Sequence, residues 1–297
     1  MSLEVLPQTT KKEIYNTPEL KKFEDSIRAS FESIAEQIFE HLDEEVVSRL
    51  VFLESHSQFN IDSRLIESGM HNVLNEISRR ENGYDLTEER LLEARVAALI
   101  HDIGKSGPLE ASKDQQLAVV RLFAAENLRN PNQPVEDAVR EVFGEEANLM
   151  IYNLQGCGID VSMSMKKFWE SHAKWGYEII KTKCPELSTT TKNIAILHHV
   201  DKGPDFNFLN LPMDQIPKES LVLGQLENYV DTLRQRAIIA LDQYEAQIRR
   251  AKVSHKEAVA WVRKNVSKTF GDDVFMNQIL DVMLEMGQEQ IFNGSIE

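Results

Sequence analysis

The reading of this chain turns on one stretch, Val96-Ala97-Ala98-Leu99-Ile100-His101-Asp102-Ile103-Gly104-Lys105. An apolar helical run meets a polar pair, and a glycine follows two residues later. Upstream, Thr87 is a good N-cap, with Glu88 and Glu89 in the first turn, where the helix dipole favours acid. Adjacent residues on a regular helix point about 100° apart. A neighbouring His and Asp can still share one metal ion where the helix ends and the backbone turns, and Gly104 supplies such an end. Imidazole nitrogen and carboxylate oxygen suit Mn, Fe, Zn or Mg. The plain alternative is a histidine near a helix C-terminus followed by a glycine cap.

Working outward, the periodicity is helical almost throughout. Thr17-Pro18 reads as a helix start, and Phe23, Ile27, Phe31, Ile34 and Ile38 then make one apolar face. A second helix is expected over 62–80, broken by Asn82-Gly83. Others are expected near 113–129, 134–144, 165–183, 188–200, 218–250, 255–268 and 273–288. Ser254 with Glu257 fits a capping box. No alternating strand pattern stands out, so the fold class expected is all-α. The stretch 107–161 is looser, with Pro131, Pro134, Gly144, Gly156 and Gly158. It reads as an insertion or lid of two short helices.

The other candidate residues lie at helix ends or share helix faces. Glu67 and His71, four apart, project from one face of the 62–80 helix; alone, such a pair is usually a solvated contact. His198-His199 closes the apolar run Ile194-Ala195-Ile196-Leu197, with Asp201 nearby. His172 precedes Gly176 by four residues, which allows a close helix approach. Asn228 and Asp231 share a face of the 218–250 helix, where acids are mostly solvated. His41, His56 and His255 sit in polar helical contexts and are given no role.

His101-Asp102-Ile103-Gly104-Lys105 resembles the signature of the HD superfamily of metal-dependent phosphohydrolases. Over roughly 62–290 the order of segments is most similar to the HD-GYP branch, which hydrolyses cyclic dinucleotide messengers. The resemblance implies metal ligands at Glu67, His71, His101, Asp102, His172, His198 and His199, with Asn228 or Asp231 closing the site. It implies Asp102 as the bridging and catalytic carboxylate. It implies Lys105, and more weakly Lys202, as contacts to a substrate phosphate. The set would hold two divalent ions, with ligands enough for a third; Mn or Fe come first, and Mg, Zn or Ni stay open. The reaction implied is attack of a metal-activated hydroxide on a phosphoester. Phe270-Gly271-Asp272-Asp273-Val274-Phe275 is similar to the branch's closing Phe-Asp-Pro segment.

Three departures narrow this. The Gly-Tyr-Pro loop is missing: after His199 the chain reads Val200-Asp201-Lys202-Gly203-Pro204-Asp205-Phe206, which puts cyclic di-GMP in doubt. A gapless match puts Asn228 where the branch has Asp, and a neutral amide oxygen is a poorer ligand. The segment between Lys105 and His172 is long. Two other readings stay open on the same residues: an HD-type di-iron oxygenase, and a signalling module that keeps the fold without turnover.

Composition sets the frame. The chain has 297 residues, 42% hydrophobic and 27% charged, with a net charge of −15. That charge argues against a general nucleic-acid surface, but a metal can reverse the field within one pocket. Cys157 and Cys184 make no disulfide framework, no apolar run reaches membrane-span length, and the start of the chain is polar. A cytoplasmic protein is expected, and the resemblance implies a small phosphorylated, nucleotide-like substrate. The division expected is a helical extension over 1–60 and a catalytic domain over 61–297, with the insertion at about 107–161. The 23–38 face is expected to pack on this core or on a second copy, so a homodimer stays open.

Overall fold

The computed structural model describes residues 42–56, 59–80, 86–125, 128, 130–202, 204–206 and 229–293. Its helices are α1 Glu44–His56, α2 Phe59–Arg80, α3 Glu88–Ile100, α4 Lys113–Phe123, α5 Val135–Phe143, α6 Ala147–Gly156, α7 Met165–Lys183, α8 Thr189–Ile196, α9 Tyr229–Arg249, α10 His255–Phe270, α11 Val274–Met286 and α12 Gln288–Asn293. Among the described residues there is no strand, only an isolated bridge between Pro134 and Ser164. The fold is all-α. The helix expected over Phe23–Ile38 lies outside the described residues.

Short polar residues start most of these helices by accepting an orphan backbone N–H. Thr87 accepts from Arg90 N–H, Ser164 from Lys167 N–H and Ser188 from Thr191 N–H. Ser254 and Glu257 form the expected capping box, and Ser112 with Gln115 forms a second.

The main core gathers α1, α2, α3 and α8 to α12, with Val46, Leu74, Ile100, Ile194, Ile239, Val262 and Leu280 all fully buried. Its central element is α9, buried without a break from Thr232 to Leu241. α2 crosses it closely: a Cβ on Gly69 would lie 2.7 Å from Leu241 Cδ2. α1 gives Val46, Val47 and Leu50 to this same core, joined by Leu42 just before it.

The 107–161 stretch holds three helices where two were expected, and α4 stops at Phe123. α4, α5 and α6 enclose a second apolar cluster around Val119, Leu122, Val139 and Leu154. They cannot close it alone, and Met165, Phe168 and Trp175 of α7 complete it. α7 therefore has one side on the inserted helices and the other on the His101-Asp102 turn. No helix among the described residues is long and apolar enough to cross a membrane.

Candidate metal centre

The His-Asp pair faces one point because the helix ends between its members. α3 stops at Ile100, and His101 keeps helical angles (φ −55°, ψ −38°). Asp102 leaves them (φ −97°, ψ 11°), and a 3₁₀ turn runs over Ile103–Ser106. His101 Nε2 then lies 3.4 Å from Asp102 Oδ2. α7 presses onto this turn where both chains lack a side chain. A Cβ on Gly104 would fall 1.9 Å from the His172 carbonyl oxygen and 2.5 Å from Gly176 N. That contact brings His172 Nε2 to 3.2 Å from Asp102 Oδ1. The turn after α8 adds His198, whose Nε2 is 3.9 Å from the same oxygen.

Three of the four histidines are oriented in the same way. His101 Nδ1–H donates to Ala98 O at 2.6 Å, and His198 Nδ1–H to Ala195 O at 2.6 Å. His172 Nδ1–H donates to Trp169 O. Each acceptor is the carbonyl three residues back. A carbonyl only accepts, so the proton sits on Nδ1 and Nε2 carries a lone pair. This is how metal-ligating imidazoles are commonly fixed. Nε2 of His101 and of His198 is buried with no hydrogen-bond partner, as is Nδ1 of His199. Buried polar atoms are rarely left so, and lone pairs converging on a carboxylate are what a bound cation would satisfy.

The acid that closes the cluster is Asp242 of α9. Its Oδ1 is 4.0 Å from His101 Nε2 and its Oδ2 is 3.7 Å from His199 Nδ1. Ligand atoms then fall into two groups, each within 4.8 Å: Asp102, His172, His198 and His199, and His101, Asp102 and Asp242. Asp102 belongs to both. Nitrogen and oxygen donors of this kind could hold divalent metal.

The electrostatics favour neutral rings at two of these positions. Burial pushes the His198 imidazole down to about 3 and holds His199 well below the ordinary histidine range. Both rings are therefore neutral, as ligands must be. For His101 burial pulls down, but the Asp102 and Asp242 carboxylates outweigh it and the net shift is upward. Burial raises Asp102, yet Lys105 and His101 reverse this and hold it well below the usual carboxylate range. Lys105 Nζ is in direct contact with Asp102 Oδ2 and is the cation that faces this carboxylate.

The expected ligands divide. His101, Asp102, His172, His198 and His199 come together. Glu67 and His71 belong to neither ligand group. Glu67 is fully buried against Arg95 of α3 and His71 Nε2 lies 3.2 Å from Asn75 Nδ2, while Glu67 Oε2 and His71 Nδ1 are buried with no hydrogen-bond partner. Asn228 lies outside the described residues. Asp231 sits near the start of α9, and at 1.5 Å per residue Asp242 is about 16 Å further along the axis. Lys105 is buried beside Asp102, whereas Lys202 is exposed, with Nζ 3.3 Å from His199 Nε2 and 5.9 Å from the Phe206 ring centre. Asp201 braces the histidine turn: it accepts from Gln243 Nε2 at 2.7 Å, and its carbonyl accepts from Thr269 Oγ1 at 2.6 Å.

Sequence reading missed Asp242, although a signal was present. Asp242 follows Ala237-Ile238-Ile239-Ala240-Leu241, as His101 follows Val96–Ile100 and His198 follows Ile194–Leu197. A lone acid directly after five apolar residues is hard to place in solvent.

The chain matches no protein family, no curated protein and no solved structure. The buried His/Asp cluster is compatible with an HD-type metal site and with a metal-dependent hydrolase.

Proposed function

We propose that the protein is an HD-type metal-dependent phosphohydrolase that cleaves a phosphoester of a small, nucleotide-like substrate. One observation carries the reading: oriented imidazole lone pairs and a second carboxylate, Asp242, gather around Asp102, which both ligand groups share. His172, His198, His199 and Asp102 would hold one ion, and His101, Asp102 and Asp242 a second. A third ion has less support, because Glu67 and His71 fall in neither ligand group.

Bound divalent ions would supply charge neutralisation at the phosphate and a water of lowered pKa. The chain's own residues do the rest. Nδ1–H bonds to Ala98, Trp169 and Ala195 keep the rings aimed without reorganisation. Lys105 meets Asp102 where incoming ions would take the carboxylate, so its ammonium would be released toward an anionic substrate. Lys202, beside His199, would be a second contact for such an anion.

The test is a phosphoester panel, mononucleotides and cyclic dinucleotides included, run with Mn²⁺ and Fe²⁺ after anaerobic purification. Turnover that vanishes in His101→Ala supports the proposal. A metal-loaded protein that hydrolyses none of the panel but consumes oxygen with a phosphonate or polyol would replace it with an oxygenase.

A further inference from the structure

Arg49 of α1 is among the largest fully buried side chains of the molecule, and its guanidinium is spent on a single turn. Nη1 donates to Ser106 Oγ at 3.0 Å and to Gly107 O at 3.3 Å. Nη2 donates to Pro108 O at 3.1 Å and to Leu109 O at 2.5 Å. Ser106 Oγ donates onward to Ile103 O at 2.7 Å. Four consecutive residues directly after Lys105 are thus held by one fork. The fork is held in turn by Glu45, which accepts from Nε at 3.2 Å and from Nη2 at 3.1 Å. The other oxygen of Glu45 meets Lys183 of α7 at 3.4 Å.

The turn needs outside donors. Gly107 sits at φ 91°, and its N–H is used on Gly104 O at 2.9 Å. Pro108 has no N–H to give. The carbonyls of 107–109 belong to no helix. Pro108 O also accepts from Ala111 N–H at 3.1 Å, but Arg49 is the donor to Gly107 O and Leu109 O, and polar backbone groups away from water are seldom left unpaired. What distinguishes this clamp from ordinary satisfaction of carbonyls is its position. The clamped residues continue without a break from the 3₁₀ turn of Asp102 to Ser106, which aims Asp102 and Lys105.

We propose that Arg49 is a positioning residue of the metal centre, fixing the 102–109 turn so that Asp102 faces the histidines before any ion arrives. This rests on the metal-centre reading given above. Supports outside the ligand set commonly change metal affinity 10- to 100-fold when removed. Lysine cannot replace the fork, because three donors at one point do not reach Glu45 and four turn acceptors together.

Arg49→Lys, Arg49→Ala and the control Leu50→Ala, which truncates a core residue of the same helix, are compared with the natural chain. Amide exchange over 103–109 in metal-free protein reads the clamp, and Mn²⁺ affinity by chelator competition reads the centre. Arg49→Lys is expected to exchange about tenfold faster over 103–109 and to bind Mn²⁺ about tenfold more weakly. Arg49→Ala is expected to exceed both effects if it folds. Leu50→Ala should lower the melting temperature and leave both readouts unchanged. An Arg49→Lys protein with natural Mn²⁺ affinity overturns the proposal, as does a Leu50→Ala protein that loses affinity equally. A natural chain that binds no Mn²⁺ overturns the metal-centre reading itself; the exchange arm then reports on the clamp alone, so the two failures stay distinct.

Discussion

A methyl group at residue 104 would have to occupy space already taken by the His172 carbonyl oxygen, 1.9 Å away. The obstacle is backbone, so it cannot rotate aside. Gly104→Ala should push α7 off the turn and carry His172 away from Asp102. The expected cost is about 1–3 kcal/mol in a thermal or urea melt, together with weakened Mn²⁺ binding. An alanine variant of natural stability would mean that the α7 contact is looser than described. The histidines make a second prediction at this scale. An unfolded histidine titrates near 6.5, whereas folding holds His198 at about 3 and His199 well below its ordinary range, burial being the first cause. Below pH 6.5 the unfolded chain therefore binds more protons, so the stability these rings confer is present above 6.5 and is lost as pH falls toward 3. His101 is shifted upward and runs the other way: its contribution is full below 6.5 and fades as pH rises through its folded value. Metal-free protein should lose about 1.4 kcal/mol per pH unit for each lowered histidine once pH is well below 6.5. Melts between pH 7 and 5 check this, and His198→Asn should flatten the slope.

At the scale of the element, the sequence was most informative where a helix stops and least informative within α9. His101-Asp102 and His198-His199 both close apolar runs and are followed by turns, so their place in a site could be read from the residues. His172 and Gly176 were legible through their spacing, although only the structure shows that Gly176 and Gly104 meet. α9 carries its acid inside a long helix with no terminus to mark it, and the gapless match chose Asn228 or Asp231. Glu67 and His71 do share a helix face, but periodicity cannot say which neighbour that face meets, and it meets Arg95. Two variants separate the α9 assignments. Asp242→Asn should lower bound Mn²⁺ from two ions toward one, whereas Asp231→Asn should leave uptake unchanged, both read by elemental analysis after dialysis. Loss of metal in Asp231→Asn alone would restore the sequence assignment. The closing segment has a structural task as well. Asp273 caps α11 through Met276 N–H at 2.8 Å and accepts from Arg236 of α9 at 2.9 and 3.0 Å, while the Arg236 guanidinium lies over the Phe270 ring at 4.2 Å. Asp273→Ala removes both the α11 cap and a buried partner of Arg236 and should cost about 3–5 kcal/mol, with metal stoichiometry retained at temperatures where the variant is folded.

Over the whole molecule, two apolar clusters meet along α7, and the candidate centre lies where α3, α7, α8 and α9 converge. The all-α class was legible because many helices have their own start signal, as at Thr87, Ser164 and Ser254. The part played by α1 was not, because Arg49 carries no local sign of the turn it holds, 57 to 60 residues away. Within a chain of net charge −15, the site brings two of the carboxylates, Asp102 and Asp242, close together, an arrangement that cations favour. Lys105 and Lys202 provide part of that charge, and divalent ions are expected to provide the rest. The central claim is that this cluster is a two-metal centre built on Asp102. Its most direct test is elemental analysis of anaerobically purified, Mn²⁺-dialysed protein beside Asp102→Ala. The claim predicts about two ions per natural chain and fewer than one in the variant; a natural chain without metal, or a variant that keeps both ions, would contradict it.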